Sequence, residues 1–123
     1  MYVSFQVALK AHHRAIYDAV DDAIEDLLRI QMEHPEYRNQ AHCDTLLDQP
    51  ADNLERLRME AYIIMTYNTL ETLFDKYGSK KLVKTSFMPA MQALAQRHRK
   101  WLYIDDHFKS YNIGMITLFH ASK

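Results

Sequence analysis

Glycine and proline are scarce in this chain, with 2 glycines and 3 prolines among 123 residues. Folds made of strands and tight turns need more of both, because these two residues set the backbone conformation of turns. The single cysteine excludes an intrachain disulfide and is typical of a reducing compartment. No run approaches the roughly 18 apolar residues of a membrane-spanning helix, and the first residues do not form a signal peptide. We therefore expect a helical, cytoplasmic protein, with an upstream membrane anchor left open.

Motifs of the common catalytic and metal sites are missing as well. Two glycines cannot form a phosphate-binding loop, a dinucleotide-binding loop or a nucleophile elbow. The seven histidines include no His-x-x-x-His pair, and no Glu-x-x-His pair suits a di-iron bundle. The sequence thus predicts no metal ion and no cofactor, and nothing in it favours an enzyme.

Charge is unevenly distributed along the chain. Residues 1–75 carry 6 Lys/Arg and 14 Asp/Glu, whereas residues 76–123 carry 9 and 2, within a formal net charge of −1. Opposed charges of this size in a small domain steer self-association or attract an anionic partner. We therefore expect a homo-oligomer or a protein partner, in a complex that weakens as salt rises.

The first predicted helix spans about residues 3–33 and ends at His34-Pro35, because the residue before a proline avoids the helical region. Its inward residues alternate at spacings of four and three, which is typical of a helix in a bundle. These residues are Leu9, His13, Ile16, Val20, Ala23, Leu27 and Ile30. The outward side is acidic and carries Asp18, Asp21, Asp22, Glu25 and Asp26.

Residues 34–53 are less regular, with a short helix predicted over Glu36–Leu47 after Pro35. A carboxylate at Asp52 and a glutamate at Glu55 have the spacing of a capping box, so the next helix begins near Asn53. We expect this helix to span about residues 53–77 and to stop at Gly78.

This central helix carries apolar residues on two faces. One face consists of Met59, Ile63, Tyr67, Leu70, Phe74 and Tyr77. The opposite face consists of Leu54, Leu57, Ala61, Ile64, Met65 and Asn68. Apolar residues on both faces predict a helix that is covered on both sides and is the most buried element of the fold.

A basic loop over residues 79–85 follows, with Lys80, Lys81 and Lys84, and Ser86 caps a fourth predicted helix that continues to about residue 104. The inward stripe of that helix is Phe87, Met91, Leu94, His98 and Trp101. Asp105-Asp106 precedes a last segment with an apolar face that includes Phe108, Ile113, Met115 and Ile116. The sequence thus predicts an all-α fold, in which one domain over residues 1–123 forms a compact bundle of four to five helices.

A set of polar and aromatic residues forms the candidate ligand site. The set consists of Tyr67, Asn68, Glu71, Arg97, Arg99 and Trp101. Because a buried carboxylate is costly unless it is paired, Glu71 is expected to meet Arg97 or Arg99, either around a small pocket or in an internal ion pair. A pocket between the central helix and the Trp101 helix would suit an anionic or nucleotide-like ligand.

Lysines and arginines of the later part form a candidate anion-binding surface, in which Lys80, Lys81 and Lys84 precede the run Arg97–Tyr103. Cations interleaved with aromatic residues suit phosphates and stacked bases. However, Trp101 belongs to the inward stripe, and a slightly negative chain is a poor candidate for a nucleic-acid partner.

Several of these residues together resemble a loose group of uncharacterised bacterial helical domains. The resemblance covers about residues 15–105 and rests on His34-Pro35-Glu36-Tyr37-Arg38, Arg58, the helix Tyr62–Tyr77 with Asn68 and Glu71, and Arg99 with Trp101. It implies an α-helical fold and no known activity, and such domains often follow a membrane-anchoring helix.

Three functions are therefore considered. The leading hypothesis is a non-enzymatic helical module that binds a partner protein or a second copy of itself. The alternative is a sensor of a small anionic ligand, and the third is weak binding of nucleic acid through the basic C-terminal part.

Overall fold

The computed structural model of the chain describes residues 2–82 and 85–121. These residues form six helices and no strand, so the predicted all-α bundle is confirmed. The helices are α1 (Tyr2–Glu33), α2 (Gln40–Leu46), α3 (Leu54–Leu82), α4 (Phe87–Arg97), α5 (Arg99–Ile104) and α6 (Ile113–Ala121). Short 3-10 helices at Pro35–Arg38 and His107–Ser110 connect α1 to α2 and α5 to α6.

Helix α1 has about the bounds that its sequence predicts, and its inward seam is confirmed from Ile16 onwards. Ile16, Val20 and Leu27 are buried, and Ala23 and Ile30 are half-buried against the core. His13 is exposed, contrary to the prediction, and the side chain of Leu9 lies outside the described part. The five acidic residues of the outward side are all exposed.

Helix α3 begins at a cap that differs from the predicted one. The side chain of Asn53, not the carboxylate of Asp52, accepts a hydrogen bond of 3.0 Å from the backbone N–H of Arg56. At the other end the backbone leaves the helical path at Gly78, where φ is 76°, and then continues as a helical turn to Leu82. Part of the predicted basic loop is therefore helical.

The predicted fourth helix is divided at His98, whose φ of −102° and ψ of 21° depart from the α-helix. Its inward stripe is nevertheless buried as predicted, from Phe87 to Trp101. Ser86 makes no capping bond through its side chain. Instead, Thr85 Oγ1 accepts a hydrogen bond of 3.1 Å from the N–H of Phe87.

The C-terminal helix is fixed to α3 through Asn112. The side-chain oxygen of Asn112 accepts from the N–H of Gly114 at 2.8 Å, and its amide nitrogen donates to Asp75 at 2.6 Å. The chain breaks before this helix at Asp106, whose backbone is left-handed with φ of 53°. In this last segment Met115 is buried, but Ile113 is exposed, contrary to the predicted apolar face.

Candidate interaction surface

The buried face of α3 rests on a cluster of aromatic rings. Tyr67 stacks on Trp101 of α5 with ring centroids 5.9 Å apart, and Trp101 stacks on His107 at 4.3 Å. Tyr67 is fully buried and Trp101 is 2% exposed. The two rings therefore fill the space in which the sequence predicts a ligand pocket between the central helix and the Trp101 helix.

His98 lies within this cluster, with Nδ1 3.4 Å from the hydroxyl of Tyr67. Its other ring nitrogen has no hydrogen-bond partner among the described residues. Burial, with a smaller contribution from the charge of Arg97, lowers the pKa of His98 to about 3, so the ring is neutral at physiological pH. Burial also raises the pKa of Tyr67 well above its ordinary value. Both groups therefore stay uncharged and act as core residues.

Glu71 has a different partner from the predicted arginines. Its carboxylate accepts a hydrogen bond of 2.5 Å from the backbone N–H of Asn112, at the start of α6. The negative charge of Glu71 also adds to the effect of burial, which raises the pKa of Tyr111 to about 12. Glu71 thus anchors α6 to α3, and within the described residues it forms no ion pair with Arg97 or Arg99, the two predicted partners.

The other carboxylate on this side of α3 belongs to Glu60, which lies in a partly buried hydrogen-bond network that the sequence does not predict. Arg56 Nε donates to Glu60 at 2.7 Å, and its Nη1 donates to the carbonyls of Leu47 and Gln49 at 3.0 and 2.6 Å. The indole nitrogen of Trp101 donates to the second oxygen of Glu60 at 3.4 Å. This network connects α3, α5 and the loop that follows α2, which is a structural role.

The remaining predicted site residues are dispersed. Asn68 is exposed on the far side of α3, Arg97 is half-buried at the end of α4, and Arg99 is half-buried at the start of α5. The structure does not gather them around one cavity with Tyr67, Glu71 and Trp101.

Two of the lysines predicted to bind anions lie beside the N-terminal half of α1. Lys80 and Lys81 are exposed, and Lys81 Nζ is 3.5 Å from His12 Nε2. Both lysines line a small cleft with His13 and Tyr17. Lys84, the third predicted residue, lies outside the described residues.

The opposite face of α3 is exposed, and this corrects the prediction that the helix is covered on both sides. The exposed fractions are 70% for Leu54, 47% for Leu57, 43% for Ile64 and 41% for Met65. Ala61 and Asn68, on the same face, are also exposed. We call these six residues the α3 surface. Isolated exposed apolar residues are ordinary, whereas several on one helix face form a candidate interaction surface.

A shallow groove adjoins the α3 surface. It lies between the end of α1 and the first half of α3, and is lined by Ile30, His34, Tyr37, Arg58, Ala61, Tyr62 and Met65. His34 stacks on Tyr37, which in turn stacks on Tyr62, so the floor of the groove is continuous with the aromatic core. The apolar surface therefore extends from α3 towards α1.

The acidic side of α1 remains largely uncompensated. Arg29 pairs with Glu25 at 3.2 Å and with Asp26 at 3.6 Å, on the same helix. Asp18, Asp21 and Asp22 form no ion pair within the described parts of the chain. Lys100, from the basic part, pairs instead with Asp48 at 2.6 Å. Lys100 thus compensates the loop after α2 and not the acidic side of α1.

Comparison with protein-family models, with curated proteins and with solved structures finds no match to this chain. The resemblance to bacterial helical domains therefore stays a prediction. None of the helices in the described residues combines the length and the apolar composition needed to cross a lipid bilayer. No group of three or more His, Cys, Asp or Glu side chains in these residues is placed to hold a metal ion.

Proposed function

We propose that this protein is a non-enzymatic helical module that self-associates through the α3 surface. The observation that carries the proposal is the exposure of Leu54, Leu57, Ile64 and Met65 on one face of a helix whose other face forms the core. Covering such side chains removes apolar area from water, which is the main favourable contribution to protein association. The expected partner is a second copy of the chain.

The spacing of the α3 surface supports an identical partner helix. Leu54, Leu57, Ala61, Ile64 and Asn68 alternate at intervals of three and four, the pattern that lets two helices interlock their side chains. A two-fold axis pairs this surface with itself, as in most homodimers. Ala61 lies at the middle of the set, where a small side chain allows the two helices to approach closely.

The distribution of charge favours α3 over α1 as the contact. The centres of protein interfaces are depleted of charged residues, and the α3 surface contains none. The outward side of α1 carries Asp18, Asp21 and Asp22, which form no ion pair with any residue that the structure describes, so two copies meeting there would repel each other.

Sedimentation analysis of two matched variants tests the proposal. Ile64→Glu places a carboxylate in the α3 surface, and Gln96→Glu makes the same change of charge at an exposed position of α4. We expect the natural chain and Gln96→Glu to form dimers at micromolar concentration, and Ile64→Glu to sediment as a monomer. A monomeric natural chain, or equal association of both variants, would contradict the proposal.

The response to salt identifies the kind of contact. Association through apolar side chains persists or strengthens as salt rises, whereas contacts between opposed charges weaken because salt screens them. We therefore expect dimers that persist at high salt. Dissociation by salt would instead favour contact between the acidic side of α1 and the basic C-terminal part, as the charge pattern of the sequence alone predicts.

A further inference from the structure

A second cleft lies between α1, α3 and α4. It is partly open to solvent and has a volume of about 150 Å³. Its walls are mainly apolar and include Ile24, Leu27, Leu70 and Leu94. A cavity of this size and character accommodates one benzene-sized group.

Two arginines line the same cleft. Arg97 comes from the last turn of α4, and Arg38 from the 3-10 helix that follows α1. Neither guanidinium forms a hydrogen bond or an ion pair with another residue in the described ranges 2–82 and 85–121. Two positive groups without a protein partner, beside an apolar cavity, are complementary to a ligand that is apolar at one end and anionic at the other.

Gln31 adds a buried polar group to the wall of the cleft. It is 6% exposed, and its amide nitrogen donates to the hydroxyl of Tyr62. This hydrogen bond fixes the side chain, so that the cleft has a rigid polar edge next to its apolar floor. The charge of Arg97 reaches further into the core, where it contributes to the lowered pKa of His98.

We propose that this cleft binds a small carboxylate that carries one benzene-sized apolar group, with Arg97 and Arg38 holding the carboxylate and Leu27, Leu70 and Leu94 surrounding the apolar group. Guanidinium groups pair with carboxylates through charge-assisted hydrogen bonds, and the leucines supply the area that excludes water. This site is separate from the α3 surface and does not depend on self-association.

Titration calorimetry with phenylacetate tests the site, with acetate and 2-phenylethanol as controls that lack the ring and the charge. We expect saturable binding of phenylacetate, and much weaker binding of both controls. Arg97→Gln and Arg38→Gln should each weaken binding about tenfold or more, because each removes a charged hydrogen-bond donor. Arg14→Gln makes the same change of charge on α1 away from the cleft, and should leave the affinity within about twofold.

Several outcomes would overturn the proposal. One is the absence of saturable binding with millimolar phenylacetate, and another is equal affinity for 2-phenylethanol, which would exclude a role for the arginines. Equal weakening by Arg14→Gln would show that the ligand responds to overall charge alone. Arg38 is exposed, so Arg38→Gln keeps the test valid even if the Arg97 variant does not fold. In amide NMR spectra, shifts on binding of phenylacetate that are confined to residues remote from the cleft would also contradict the proposal.

Discussion

Both faces of α3 carry apolar side chains, but one face is buried and the other is exposed to solvent. Ile63 and Ile64 are adjacent, yet Ile63 is completely buried and Ile64 is 43% exposed. The reason is the placement of the neighbouring helices, since α1, α2, α4 and α6 pack against α3 and together leave the second face open. An apolar helix face in a sequence thus predicts that other residues pack on it, but it does not show whether those residues belong to the same chain.

The largest effect is expected from truncation on the buried face. Ile63→Ala should lower the free energy of unfolding by about 2–5 kcal/mol, because it removes buried methyl groups and leaves a cavity. Ile64→Ala is the matched control, since it makes the same chemical change one residue further on. It should change the stability of the monomer by no more than about 0.5 kcal/mol.

Urea unfolding at low protein concentration, where dimers are absent, measures both values. Similar losses for the two variants would mean that the second face is covered within the monomer. The distinction between the faces of α3 would then be wrong.

A smaller effect is expected from pH, through a core residue that faces α3. The pKa of His98 is lowered from 6.5 to about 3, mainly by burial and further by the charge of Arg97. The unfolded chain therefore binds this proton more readily than the folded chain does. The stability that neutral His98 confers is complete above about pH 6.5 and is lost as the pH falls towards 3, by about 1.4 kcal/mol per pH unit.

His98→Gln removes this titration while keeping a polar group near Tyr67. Between pH 7 and pH 5 the natural chain should lose about 2 kcal/mol more stability than the variant. Urea unfolding at the two pH values gives the difference. If the natural chain and His98→Gln have the same pH dependence, His98 is not the buried neutral group described above.

The smallest effect concerns the start of α3. Asn53→Ala should cost about 1 kcal/mol, since it removes the capping bond to the N–H of Arg56. Asp52→Ala is the control, because the sequence predicts a cap at Asp52 and the structure places it one residue later. Thermal unfolding should show a lower midpoint for Asn53→Ala and almost no change for Asp52→Ala. A larger decrease for Asp52→Ala would mean that Asp52 caps the helix, as the sequence predicts.

Much of the fold follows from periodicity alone. The seam of α1 from Ile16 to Ile30 and the stripe from Phe87 to Trp101 are inward as predicted, because a helix with one apolar face has a single way to bury it. The break at His98 is not visible in this pattern, since His98 is itself an inward residue and the backbone hydrogen bond from His98 N–H to Leu94 O is retained at 2.9 Å.

The candidate site could be predicted only in part. The sequence identifies both the α3 surface and Arg97 as unusual, but it assigns each to the wrong surroundings. The partner of Glu71 could not be predicted either, because it is a backbone N–H 41 residues later, and backbone groups give no signal in a sequence. Arg38 is brought to the cleft by the 3-10 helix that follows α1, and its position in the sequence has no recognisable spacing relative to Arg97.

Cysteine cross-linking at Ala61 tests the self-association surface most directly. The native Cys43 is buried, and burial raises the pKa of its thiol to about 11, so it should not react. Under mild oxidation, Ala61→Cys should form a disulfide-linked dimer in high yield, while Gln96→Cys, on the exposed side of α4, should remain monomeric. Equal yields for the two variants, or no dimer from Ala61→Cys, would contradict self-association through the α3 surface.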